Sequence, residues 1–95
     1  KDYVKAVKWF REAAEHGHRQ AQFKSGTMYA DGLGVEKDYV DAYAWLNLAD
    51  AQEYNGAAKR LGSLERMMTP QEIADAQKRT KELKKLIAEK QAGSK

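Results

Sequence analysis

Residues 2–13 read DYVKAVKWFREA and residues 38–49 read DYVDAYAWLNLA. The second stretch restates the first at an offset of 36: Asp2-Tyr3-Val4 falls on Asp38-Tyr39-Val40, Ala6 on Ala42, Trp9 on Trp45 and Ala13 on Ala49. The match continues through Ala21 on Ala57 and Gly26 on Gly62, giving eight identities over the 27 positions from 2 to 28. Phe10 over Leu46, Lys24 over Arg60, Thr27 over Ser63 and Met28 over Leu64 preserve character. Both tryptophans of the chain keep the same offset as the small residues around them. A period of this length signals stacked supersecondary units.

Inside each unit the spacing is helical. Val4, Val7, Phe10 and Ala13/Ala14 recur every three to four residues, as do Val40, Tyr43, Leu46 and Ala49. Asp2 and Asp38 stand at N-cap positions, where a carboxylate accepts from free backbone N–H groups. Gly17 suits the left-handed turn that closes a first helix. The pattern predicts further helices over 18–30, 39–52 and 55–68, with Asp31-Gly32-Leu33-Gly34 as a loop. Thr69-Pro70-Gln71-Glu72 is a capping box with proline at the first helical position, so a fifth helix is predicted from there to Gln91, fraying at Gly93-Ser94-Lys95. Alanines and glycines at repeat positions let helix axes approach closely. Trp9 and Trp45 are expected to fill the gaps between layers.

Composition agrees with a helical array. The 95 residues include one proline and no cysteine, and 33% are charged. Without cysteine there is no disulfide framework, thiolate metal site or cysteine nucleophile. No apolar run is long enough to cross a bilayer. The chain opens on Lys1 and Asp2 rather than on an apolar signal segment, and without an initiator methionine it reads as a processed or excised piece. An alanine-rich chain of this size buries little area per residue, a difficulty that stacking relieves. The net charge of +3 is unevenly placed. Residues 1–69 hold ten basic and ten acidic side chains, whereas residues 70–95 hold seven and four.

The residues Ala21, Gly26, Tyr29, Gly32, Gly34-Val35, Asp38-Tyr39, Ala42 and Trp45 resemble the Sel-one-like repeat, a tetratricopeptide-like αα unit. Asp2-Tyr3, Ala6, Trp9-Phe10, Ala13-Ala14 and His16-Gly17 resemble the second helix of a preceding unit. Residues 68–73 resemble the capping helix that ends bacterial members. The resemblance spans about residues 2–64. Ser25 stands where the pattern has leucine, Asp50 where it has alanine, and Glu65 where it has tyrosine. It implies an all-α αα-repeat solenoid, a TPR-like superhelix of about two repeats (units 2–37 and 38–69) closed by an amphipathic helix at 70–92. It also implies at least one helix upstream of Asp2. Members of the family look like adaptors in bacterial signalling, envelope and host-interaction processes, and in eukaryotic membrane-protein quality control.

No residue pattern points to catalysis, so the chain is read as a non-enzyme with no cofactor and no metal. His16 and His18, two apart around a glycine, cannot share a helical face as a metal pair does. Asp31, Glu36 and Asp38 do not follow calcium-loop spacing. Gly32-Leu33-Gly34 lacks a preceding strand, which argues against phosphate binding. Trp9, Phe10, Tyr29, Tyr39, Tyr43 and Trp45 sit at repeat positions, so packing is favoured over base stacking.

The expected function is protein–protein recognition by a scaffold or adaptor, through the concave face of the solenoid. Gln20, Lys24, Thr27 and Asp31 form one row of the first inner helix, and Arg60, Ser63 and Met67 continue it. A secondary surface is expected on the last helix, where Lys81, Lys84 and Lys85 flank an apolar stripe containing Leu83, Leu86 and Ile87. That stripe, if it overhangs, would self-associate, and the lysines offer an alternative anionic-surface or nucleic-acid contact. A purely structural end-cap of a longer array is a further alternative. The i, i+4 pairs Asp75–Arg79, Lys78–Glu82 and Lys85–Glu89 are expected to solvate that helix. The compartment stays open, with periplasm, secretion and cytoplasm all compatible.

Overall fold

The computed structural model describes residues 2–93. Five helices follow one another: α1 (Tyr3–Glu15), α2 (Arg19–Asp31), α3 (Tyr39–Ala51), α4 (Ala57–Glu65) and α5 (Pro70–Gly93). Among the described residues there is no strand. The caps fall where the sequence places them. Asp2 accepts from the Lys5 N–H at 3.1 Å and Asp38 from the Asp41 N–H at 3.1 Å. Thr69 and Glu72 exchange two bonds, Glu72 N–H to Thr69 Oγ1 at 3.1 Å and Thr69 N–H to Glu72 Oε1 at 2.9 Å.

Both α1 and α3 close in the same way. His18 N–H returns to Ala13 O and, 36 residues on, Tyr54 N–H returns to Ala49 O. Each reversal needs one residue with positive φ, which is Gly17 at +92° in the first unit and Glu53 at +60° in the second. Gly34, at φ +75°, lets its loop lie directly on the backbone of Tyr3 and Val4, where a side chain would collide. The loop of the α2–α3 unit is thereby tied to the start of α1.

Two helix bounds differ from the periodic reading. α4 begins at Ala57 because Gly56, at φ +95°, forms its cap. It ends at Glu65 because Met67 and Met68 donate to Leu64 O and Glu65 O, a tightened i→i+3 turn. α5 runs through Gly93, and the expected fraying at Ser94 and Lys95 lies outside the described residues.

The core centres on α3. Ala42, Ala44, Trp45, Leu46 and Ala49 are fully buried, because α2, α4 and α5 all pack on this one helix. Its residues Asp41, Ala44 and Leu48 replace Lys5, Lys8 and Glu12 of α1. That substituted face meets α5: Arg79 Nε lies 3.0 Å from Asp41 Oδ1, and Leu48 and Ile87 line one crevice. A helix apolar on all sides is a helix covered on all sides.

Candidate interaction surface

Along α2, positions 20, 24, 27 and 31 share one side at three-to-four-residue spacing, while Ala21, Gln22, Ser25, Met28 and Tyr29 turn inward. Gln20, Lys24 and Asp31 are exposed and Thr27 is half-buried, its hydroxyl donating to Lys24 O at 2.9 Å. On α4 and just beyond it, Arg60 is half-buried while Ser63 and Met67 are exposed. The two rows meet in a contact between Arg60 Nη2 and Asp31 Oδ1 at 2.6 Å. Met67 is met by the Tyr39 hydroxyl, 3.9 Å from its sulfur. These seven side chains therefore stand outside the core on α2, on α4 and in the turn after α4, and α5 seats on α3 and α1 instead.

The second surface differs from the sequence expectation. Leu83 is only 1% exposed, and Leu86 and Ile87 pack half-buried against the core. The stripe does not overhang, because α5 turns back across the molecule to the end of α1. Lys90 Nζ meets Glu15 Oε1 at 2.8 Å and Gln91 Nε2 donates to His16 O at 3.2 Å. Lys81, Lys84 and Lys85 remain exposed. Lys78, Lys81 and Lys84 line a shallow depression with Asn47 and Thr80. The expected Asp75–Arg79 pair is replaced, since Arg79 reaches Asp41 and Glu82 while Asp75 accepts from Gln71. A partner on another helix is half-buried and so less screened than an exposed pair on the same face.

Trp9 is the largest departure. Trp45 is fully buried, yet Trp9 is 67% exposed, with Phe10 edge-on at 5.3 Å as its aromatic neighbour. It fills no gap between layers, because no helix does for α1 what α2 does for α3. Lys5, Lys8 and Glu12 mark α1 as the more solvated of the two equivalent helices, but nothing at the tryptophan's own repeat position announces its exposure.

Three titratable groups are held by contacts between helices. Tyr43 donates to Glu65 Oε2 at 2.9 Å. Burial, then that hydrogen bond and the nearby negative charge, hold its hydroxyl above the ordinary value. Burial pulls the Arg79 guanidinium down, but the charge and hydrogen bond of Asp41 outweigh it and the net shift is upward. Lys90 is raised by its hydrogen bond to Glu15 and then by that carboxylate's charge. His16 stands 3.7 Å from Glu12 on exposed surface. Among the described residues no three His, Asp or Glu side chains gather as a metal site. No described helix is long and apolar enough to cross a membrane.

Comparison with known proteins places this geometry. The Sel1 repeat profile matches residues 1–18 and 19–52, together more than half of the chain. A solved structure of a protective antigen of uropathogenic Escherichia coli, described as displaying an SLR fold, superimposes with a TM-score of 0.86. It is 34% identical over 97% of this chain, which spans 20% of that protein's length.

Proposed function

The chain belongs to the Sel1-repeat family, and from that premise we propose that it is a protein-binding module whose contact surface is the row Gln20, Lys24, Thr27, Asp31, Arg60, Ser63 and Met67. Folds of this family are in general protein–protein interaction modules, without catalytic machinery of their own. The reading rests on one observation: the equivalent helices α2 and α4 keep this row out of the core, and the Arg60–Asp31 contact joins its two halves. α5 supports it by covering the α3 side and leaving the row open. Lys24 and Arg60 supply charge, Gln20, Thr27 and Ser63 supply hydrogen-bonding groups, and Met67, 57% exposed, supplies an adaptable apolar contact. An extended or helical peptide segment is the expected ligand.

Selection of a displayed peptide library on the protein, followed by titration of the selected peptides, tests this. The combined variant Lys24→Ala, Thr27→Ala, Ser63→Ala, Met67→Ala is expected to weaken them by about tenfold or more, ~1.4 kcal/mol. Lys81→Gln, Lys84→Gln, Lys85→Gln should leave them unchanged. The reverse pattern, with a steep loss of affinity as salt rises, would transfer the function to α5.

A further inference from the structure

Arg79 sets the charge balance of α5. Its Nε lies 3.0 Å from Asp41 Oδ1 and its Nη1 3.3 Å from Glu82 Oε1, which takes Glu82 away from the i, i+4 pairing with Lys78 that the helix offers. Asp75 is engaged by Gln71, and Glu72 by the Thr69 N–H of the capping box. Among the described residues, Lys78, Lys81 and Lys84 consequently have no ion-pair or hydrogen-bond partner. All three are exposed, and all three border one depression of about 470 Å³ between α3 and α5. Asn47 of α3 and Gln77 of α5 line it too, with carboxamides that hold no hydrogen bond among the described residues. Thr80 is buried beneath it, its hydroxyl committed to Ala76 O at 2.8 Å. Among the described residues no acidic, aromatic or large apolar side chain lines the depression.

The depression therefore gathers donors without acceptors. An ammonium offers three N–H groups and a carboxamide two, and charges of one sign around a concavity raise the local concentration of anions. Lys78 and Lys84 are displaced by about 9 Å along the helix axis, with Lys81 midway. A single tetrahedral anion meets only part of such a row, whereas a chain of phosphates carries charge and acceptor oxygens along all of it. A protein partner would lack the aromatic or apolar anchor on which interface centres are built, and a nucleic-acid base would lack a stacking face. We propose that this depression binds a short linear polyphosphate, free or at the end of a larger molecule. Lys78, Lys81 and Lys84 meet its oxygens from α5, and Asn47 and Gln77 donate to it from α3 and α5. The site shares no residue with the row on α2 and α4 and does not depend on what that row binds.

Titration of the protein with inorganic tripolyphosphate at low ionic strength, followed by ¹H–¹⁵N NMR, tests this. The side-chain amide signals of Asn47 and Gln77 are expected to move along one saturating curve, with orthophosphate binding about tenfold more weakly or less still. Metal-free adenosine triphosphate should match tripolyphosphate, because its phosphates alone are read. Lys78→Gln, Lys81→Gln, Lys84→Gln together should weaken tripolyphosphate by about tenfold or more. The charge-matched Lys5→Gln, Lys8→Gln, Lys59→Gln should retain most of the affinity. Asn47→Ala leaves the net charge unchanged and should still weaken binding several-fold, with the remaining amide spectrum reporting an intact fold. Equal losses in the two lysine triples, or shifts scattered over every helix with Asn47 and Gln77 unmoved, mean diffuse attraction and overturn the proposal. Orthophosphate binding as tightly as tripolyphosphate overturns the linear ligand. A single-stranded oligonucleotide or phosphatidylserine vesicles held through these lysines, with tripolyphosphate unbound, overturns the proposal in favour of that surface.

Discussion

At the scale of single residues, the repeat imposes a backbone on side chains that do not favour it. Glu53 takes φ +60° because the reversal after α3 copies the one that Gly17 makes after α1. A side chain in this region costs roughly 1–2 kcal/mol, and glycine recovers part of that while adding freedom to the unfolded chain. Glu53→Gly is therefore expected to stabilise the protein by about 0.5–1 kcal/mol, read as a higher urea midpoint at unchanged m-value. Gly17 was legible as a helix terminator from its residue type. The role of Glu53 was not, since nothing in a glutamate announces a positive φ. Trp9 and Trp45 make the same point about burial, because identical residues at equivalent positions meet different neighbours.

At the scale of helices, Gly26 and Gly62 share a repeat position and have opposite surroundings. Gly26 touches Leu46 and the Ala42 carbonyl, whereas Gly62 has nothing within 4 Å. Leu46 is fully buried and the Ala42 contact is backbone, so neither yields easily. Gly26→Ala should destabilise by about 1–3 kcal/mol through overpacking. Gly62→Ala should stabilise by up to ~1 kcal/mol, because a helix interior prefers alanine and no clash opposes it. Equal effects at both sites in thermal or urea unfolding would contradict this account of α4. The asymmetry arises because α5 seats on the Asp41, Ala44 and Leu48 face of α3 rather than against Gly62. The apolar residues on that face were visible in the sequence; which helix would cover them was not. The outward placing of Gln20, Lys24 and Asp31 was legible too, since Ala21, Met28 and Tyr29 turn to the core and leave the other side of α2 for them.

Across the whole molecule, polar contacts fasten the layers: Tyr43 to Glu65, Arg79 to Asp41 and Lys90 to Glu15. The proton-binding members of all three are held above their ordinary values. A raised folded-state value means the native state keeps its proton where the unfolded chain has begun to lose it. The linked stability is complete below the unfolded values, 10.0 for Tyr43 and 10.5 for Lys90, and is lost as pH rises through the folded ones. Urea midpoints should hold steady near neutrality and fall on moving to about pH 11. Tyr43→Phe should cost about 1 kcal/mol at neutral pH and show a smaller alkaline decline. An alkaline loss of equal size in both proteins would remove Tyr43 from this account.

The five helices, the period of 36, the Asp2, Asp38 and Thr69–Glu72 caps and the small residues that allow close packing are all present in the linear chain. The helices and caps depend on neighbours three or four residues away, and the repeat is a match of the chain with itself, so a linear reading contains them. Packing, by contrast, lays α5 across α3 and the end of α1, pairs Arg79 with Asp41 instead of Asp75, and leaves Trp9 open where Trp45 is sealed. An amphipathic face states that it needs cover, but which element supplies it depends on contacts between residues far apart in the chain.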